Sequence, residues 1–189
     1  MFPFTYRLSI NRSRLLSKRD IVSKWSQGIG GGYRHSPVLG ETGELMFASA
    51  NANFPLGVKH QVLKTYLAYQ NDVQLSRSYT SFILWPRGYA SRRVSEVQSL
   101  RIDWVTPLLY PDLNIWFLAY IQRISGGLFF DYAKLTGDPV YDELKSTGVE
   151  LKFDFNPLRY NFLINLGTRF IYGISDDTYR NELILSLDF

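Results

Sequence analysis

The chain has 189 residues, enough for one domain with a sizeable core, and combines 16% aromatic with 20% charged residues at a mean hydropathy of −0.13. Its formal charge of +4 comes from Lys and Arg spread along the chain, which argues against a nucleic-acid footprint, and zero cysteines exclude a disulfide scaffold and thiolate metal sites. No segment approaches the roughly 20 apolar residues of a membrane-crossing helix, yet this average polarity suits strands that turn every second residue towards a wet lumen.

Residues 1–10 lack a basic region, an apolar run and a small-residue cleavage site, so they do not read as a secretory signal. An exported protein would draw that segment from elsewhere in a longer chain. Residues 4–12 fit a first strand and the Gly-rich 26–35 a second, followed by a loop at 36–43. Residues 44–54 form the next candidate, closed by the tight Pro55-Leu-Gly57, and 62–71 alternate Leu63, Thr65, Leu67 and Tyr69 against Val62, Lys64, Tyr66 and Ala68. A long polar stretch, 72–98, intervenes.

Beyond it the period-two pattern sharpens. Leu100, Ile102, Trp104 and Leu108 oppose Arg101 and Asp103. The turn Tyr110-Pro-Asp112 leads to 114–135, long enough for one strand, with glycines at 126 and 127 where it would bend. In 147–155, Thr147, Val149, Leu151, Phe153 and Phe155 face one way, and Gly148, Glu150, Lys152 and Asp154 the other. Residues 156–159 turn the chain, and 161–173 set Phe162, Ile164, Leu166, Phe170 and Tyr172 against Asn161, Asn165 and Arg169. In 182–189, Leu183, Leu185, Leu187 and Phe189 alternate with Glu182, Ser186 and Asp188. That last octapeptide fits either a soluble sandwich or a strand with one face in lipid.

The reading predicts eight or nine strands, nearly all of the roughly 9–11 residues needed to cross a bilayer. Short turns (55–57, 110–112, 156–159) alternate with longer polar loops (36–43, 72–98, 133–146, 174–180), an asymmetry of membrane barrels that a sandwich does not need. Glu150, Lys152 and Asp154 in one row suit a wet lumen better than a packed core. The fold class expected is all-β, an antiparallel transmembrane β-barrel, with residues 1–189 as a single barrel domain.

Within the long polar stretch stands Leu84-Trp-Pro-Arg-Gly-Tyr89, and Arg87-Gly88-Tyr89 resembles the Arg-Gly-Phe/Tyr motif in the sixth extracellular loop of the BamA/TamA/FhaC superfamily, the bacterial surface antigen barrels of outer-membrane assembly and secretion. Downstream, Asp103-Trp-Val-Thr-Pro107 resembles the family's acid placed four residues before a proline. Gly127-Leu-Phe-Phe-Asp-Tyr-Ala133 resembles its Phe-x-Asp-x-Gly segment, with Asp131 as the acid and Ala133 where the family has Gly. Five strands and a terminal Phe beyond the loop agree with the family pattern. The resemblance covers about 26–189.

The resemblance implies a loop folded back into the lumen, where Arg87 pairs with Asp131 and Asp103 and Gly88 lets the backbone approach closely. Leu183, Leu185, Leu187 and Phe189 would be the C-terminal assembly signal. It also implies that this chain is the C-terminal half of a barrel of about sixteen strands, with the first seven or eight absent. An eight-stranded barrel is just filled by side chains. The loop would therefore either stay outside or need a barrel completed by further strands, a second chain or a missing N-terminal half, because open edges in lipid are costly.

The function implied is assistance in inserting or translocating protein or lipid at the bacterial outer membrane, with that membrane's lipid and the barrel-assembly machinery as partners. The rivals are a small independent barrel acting as anchor or pore, and a soluble β-sandwich binding module. No enzyme is expected. His35 and His60 lie far apart and read as loop or turn residues rather than metal ligands, and no cofactor motif is present. Gly28-Ile-Gly-Gly-Gly32 reads as a strand eased for packing or curvature, not a phosphate loop, because no helix pattern follows.

Overall fold

Side-chain alternation organises the chain into one sheet. The computed structural model describes residues 3–15, 20–36, 43–73, 80–116, 119–157 and 163–188, and among them it contains no helix. Ten antiparallel strands form: β1 Phe4–Ser13, β2 Ser26–His35, β3 Glu44–Pro55, β4 Val62–Asp72, β5 Glu96–Leu109, β6 Leu113–Ile115, β7 Ala119–Thr136, β8 Glu143–Pro157, β9 Leu163–Gly173 and β10 Thr178–Asp188. Nine lie side by side in chain order, and the three-residue β6 pairs β7 off that path.

The sheet is open. Among the described residues β1 pairs only with β2 and β10 only with β9, so the chain forms the expected all-β antiparallel sheet, but that sheet is not closed into a barrel and has two free edges. The count of eight or nine becomes nine long strands and one short one. The single strand expected over 114–135 is divided, because Asp112 and Trp116 adopt left-handed backbone (φ 44° and 48°) that turns the chain around β6. The irregularity in β7 falls between Ile121 and Arg123, not at the two glycines.

Two expected loops shrink. The 133–146 loop is only 137–142, and the 174–180 loop is the turn 174–177. The turn placed at 55–57 lies later, where Leu56 N–H donates to the Gln61 carbonyl (3.3 Å) and His60 has φ 65°. Of the turn expected at 156–159, Asn156 and Pro157 extend β8, and the rest lies outside the described residues. Residues 14–25 join β1 to β2 at the end where short turns were expected, so the asymmetry reduces to one long connection, 73–95.

The two faces differ. Outward residues such as Leu8, Ile29, Leu67, Leu128, Val149, Phe170 and Leu183 are exposed, with no second layer over them among the described residues. Inward residues such as Leu45, Phe47, Val97, Ala133, Leu135 and Leu144 are buried, because the 80–94 segment lies on that face and adds Ile83, Trp85 and Val94 to the same cluster. One short segment reaches both edges. Arg7 of β1 lies 5.2 Å from the Phe82 ring and Arg180 of β10 lies 5.0 Å from that of Tyr89.

Candidate functional site

Apolar and polar anchors seat the 80–94 segment together. Burying Ile83, Trp85 and Val94 contributes about 1.5–3 kcal/mol each. Phe82 stacks on Phe47 with ring centroids 4.8 Å apart, and its N–H donates to Gln70 Oε1 at 2.9 Å. The Ser99 hydroxyl donates to the Leu84 carbonyl at 2.7 Å, Leu84 N–H donates to the Tyr66 hydroxyl at 3.3 Å, and Arg101 donates to the Trp85 carbonyl. Backbone groups that a buried loop would otherwise strand are thereby paired by inward side chains of β4 and β5.

At the centre sits Arg87. Its Nε and Nη2 donate to the two oxygens of Asp131, each at 2.8 Å, and its backbone N–H donates to Asp131 Oδ2, also at 2.8 Å. Nη2 lies 2.6 Å from Asp103 Oδ1, and Nη1 lies 3.0 Å from Glu150 Oε1. The guanidinium carbon stands 4.0 Å above the centre of the Phe129 ring. Asp131 is 0% exposed, and both of its carboxylate oxygens accept hydrogen bonds from this loop. Burial works against the charge on Arg87, but the Asp131 hydrogen bond and the Asp103 carboxylate outweigh it and hold the guanidinium above its ordinary pKa.

The two residues after Arg87 shape the seat. Gly88 has φ +83°, and a β-carbon there would come within 3.1 Å of Ile171 Cγ2. Tyr89 donates its hydroxyl to Asp176 Oδ1 at 3.0 Å, tying the loop to the β9–β10 turn. Burial, then the hydrogen bond to Asp176, raise the Tyr89 pKa. Burial opposes ionisation of Asp176 too, but hydrogen bonds from Arg180, Thr178 and Tyr89 prevail and lower its pKa.

The structure therefore brings Arg87, Gly88, Tyr89, Asp103 and Asp131 into one place, and adds residues not assigned a role from the sequence. Glu150 bridges Arg87 to Arg169 (Nε–Oε1 2.6 Å), and Arg169 reaches Glu182 of β10 at 2.8 Å, so the charge network spans from loop to edge strand. Phe129, the aromatic residue of the Phe-x-Asp segment, forms the floor, and Gly148 opposite it leaves room for that ring. The row Glu150, Lys152, Asp154 was the available signal; its partners were hidden in the register. Ala133, where the resembled pattern has Gly, is 0% exposed within the apolar cluster, and its methyl group is accommodated there.

A second network lies at the opposite end. Arg123 Nε donates to Asp154 Oδ2 at 2.6 Å and Nη1 donates to the Asp20 carbonyl at 3.0 Å, drawing the β1–β2 connection onto β7. Asp20 also meets Lys24 Nζ at 2.9 Å and His60 Nδ1 at 2.6 Å. His35 ends β2 and stacks between Phe4, Tyr6 and Tyr33. Neither histidine stands in a group of three acids or histidines among the described residues.

At the C-terminus, Leu183 and Leu185 point outward and exposed, whereas Glu182 faces the network. Leu187 pairs with Ile164 through the backbone, while its side chain and Phe189 lie outside what is described. Chemically, the Arg87 seat is a clamp: the guanidinium meets three carboxylates, which leaves it holding a loop rather than presenting a reactive group. No family model matches this chain, no curated protein matches it, and no solved structure matches it.

Proposed function

We propose that this chain is wall-forming polypeptide of a β-barrel in the bacterial outer membrane, of the surface-antigen type that its motifs resemble. It would assist insertion or translocation of protein or lipid there without catalysing a reaction. The observation that carries the reading is the seat of Arg87 on Asp131, Asp103 and Glu150, which fixes a long loop against a charged inner face. A row of charges facing inward and apolar side chains facing outward is the arrangement of a wet lumen inside lipid. The barrel-assembly machinery would read the outward Leu183 and Leu185, together with Leu187 and Phe189.

The outward face adds support. On β9 the outward positions from Ile164 to Tyr172, apolar or aromatic except for Thr168, cover eight residue steps, about 26 Å at ~3.3 Å each, against an apolar band about 25 Å tall in such barrels. Aromatic residues mark its two ends. Tyr6, Tyr33, Tyr69, Tyr132, Tyr172 and Tyr179 stand towards the long-loop end, and Trp25 packs edge-on against Phe54 at the other. Such belts flank the lipid-facing band of outer-membrane barrels. A two-layer sandwich would instead bury one of these faces against a second sheet.

Fractionation tests the reading. The chain made in a bacterium is expected in the membrane pellet and released only by detergent; recovery in the aqueous fraction without detergent would refute the membrane assignment.

A further inference from the structure

We propose that the free edges of β1 and β10 are closed by an odd number of strands from another stretch of polypeptide, antiparallel at both seams. This rests on the membrane-barrel reading above and specifies what completes the wall.

Direction carries the argument. Every neighbour in the nine-strand path is antiparallel, so β1, β3, β5, β8 and β10 run one way and β2, β4, β7 and β9 the other. The two edge strands thus point in the same direction. If β1 met β10 directly, the seam would be parallel, whereas single-chain bacterial outer-membrane barrels hold even numbers of strands, antiparallel throughout. A single copy fails on a second count. Nine strands enclose little more than their own inward side chains, and here that face already carries Ile83, Trp85 and Arg87 of the loop.

Two copies inserted in the same sense would widen the ring but make two parallel seams. An inverted copy would pair β1 with β1 and β10 with β10, and would place its 73–95 connection at the opposite membrane face. An odd number of added strands avoids all of this.

The edges themselves describe the partner. All ten residues of β1 are exposed, with Tyr6, Leu8 and Ile10 on the outward side, and β10 offers Leu183 and Leu185 on the same side. In lipid, unpaired backbone along strands of ten and eleven residues must be met by strands that also carry apolar residues outward.

Photo-crosslinking in intact bacteria tests this, with a photoreactive residue placed singly at Tyr6, Ile10, Asn181 or Leu185 and the joined peptides sequenced. The expected result is that β1 and β10 each join a strand from outside residues 1–189, and that the joined positions run in reverse order: the Ile10 probe joins an earlier residue than the Tyr6 probe, and the Leu185 probe an earlier one than the Asn181 probe. Unchanged mass on a denaturing gel marks the same longer chain, and an increase marks a separate one. Joining of β1 to β10, of β1 to β1, in parallel order at either edge, or of neither edge while the protein still needs detergent, overturns the proposal. Failure of the membrane reading is seen separately, as protein in the aqueous fraction.

Discussion

Arg101 stands directly opposite Asp131 in the β5–β7 ladder, yet both oxygens of that carboxylate are engaged by Arg87, 44 residues upstream. Arg101 turns instead to the Trp85 carbonyl. Two inward arginines therefore serve one loop: one through side-chain charge, one through the backbone. A cross-strand ion pair could have formed locally, but the carboxylate is spent on fixing a distant segment.

Replacing Arg87 by Ala would leave Asp131, fully buried, facing Asp103 and Glu150 without its cation. Breaking a buried pair from one side costs about 3–5 kcal/mol. The 80–94 segment is expected to detach, so trypsin should cut at the exposed Arg92 and Arg93 many times faster than in the parent chain. Arg87→Lys should fall between, because an ammonium keeps the charge but not the fork that spans two oxygens. Equal protection in all three proteins would remove the loop-lock idea.

The floor of the site gives a second test. A β-carbon on Gly148 would sit 2.0 Å from the Phe170 carbonyl oxygen and 2.6 Å from the Phe129 ring. Gly148→Ala should therefore push Phe129 out from beneath Arg87 and cost about 1–3 kcal/mol of overpacking. Phe129→Leu in the same chain should relieve only the ring contact, leaving the carbonyl clash. Heat-induced unfolding in detergent, followed by gel mobility, reads both steps.

How much of this was legible beforehand depended on where each strand met its surroundings. The middle of β8 was readable, since Val149, Leu151 and Phe153 alternate cleanly with Glu150, Lys152 and Asp154. Towards the long loop the polarity inverts. Ala133, Leu135 and Leu144 are apolar inward because the loop packs on them, while Lys134, Thr136, Glu143 and Lys145 point outward. A stretch with that inversion, read against the pattern of the middle, looks like a polar loop, so 133–146 was taken as one. The Arg87–Asp131 meeting was reachable only through resemblance, since nothing local couples residues so far apart. Glu150 and Arg169 were read only as polar-face residues, and their pairing was missed because cross-strand register is set by turns whose geometry the sequence did not disclose.

Acid and base should loosen the Tyr89 contact from opposite sides. The Asp176 pKa is lowered in the folded chain, so its contribution is present above the ordinary carboxylate value near ~4 and is lost as pH falls through the folded value. The Tyr89 pKa is raised, so its contribution is complete below about 10 and is lost as pH climbs through the folded value. Tyrosine fluorescence quenching across pH 3–11 should show a plateau between these limits, and Asp176→Asn should erase the acid limb and move the basic limb to lower pH, because the part of the Tyr89 shift that Asp176 supplies is lost while the part from burial stays. A single unbroken drift across neutral pH would contradict the assignment.

The outward face offers the plainest discrimination between lipid and water. Leu183 is 87% exposed and pairs with Thr168, well inside the apolar run, whereas Glu143 lies on the same face beyond its end. Arginine at the bilayer midplane costs a barrel about 2–4 kcal/mol, falling to about 0–1 near the interface. Leu183→Arg should accordingly lower the stability of vesicle-inserted protein by several kcal/mol in urea titrations, while Glu143→Arg should shift it little. On a water-exposed face both changes would fall within about ±0.5 kcal/mol, since neither side chain touches a packed layer. Equal, negligible shifts for the two variants would therefore count directly against lipid on this side of the sheet.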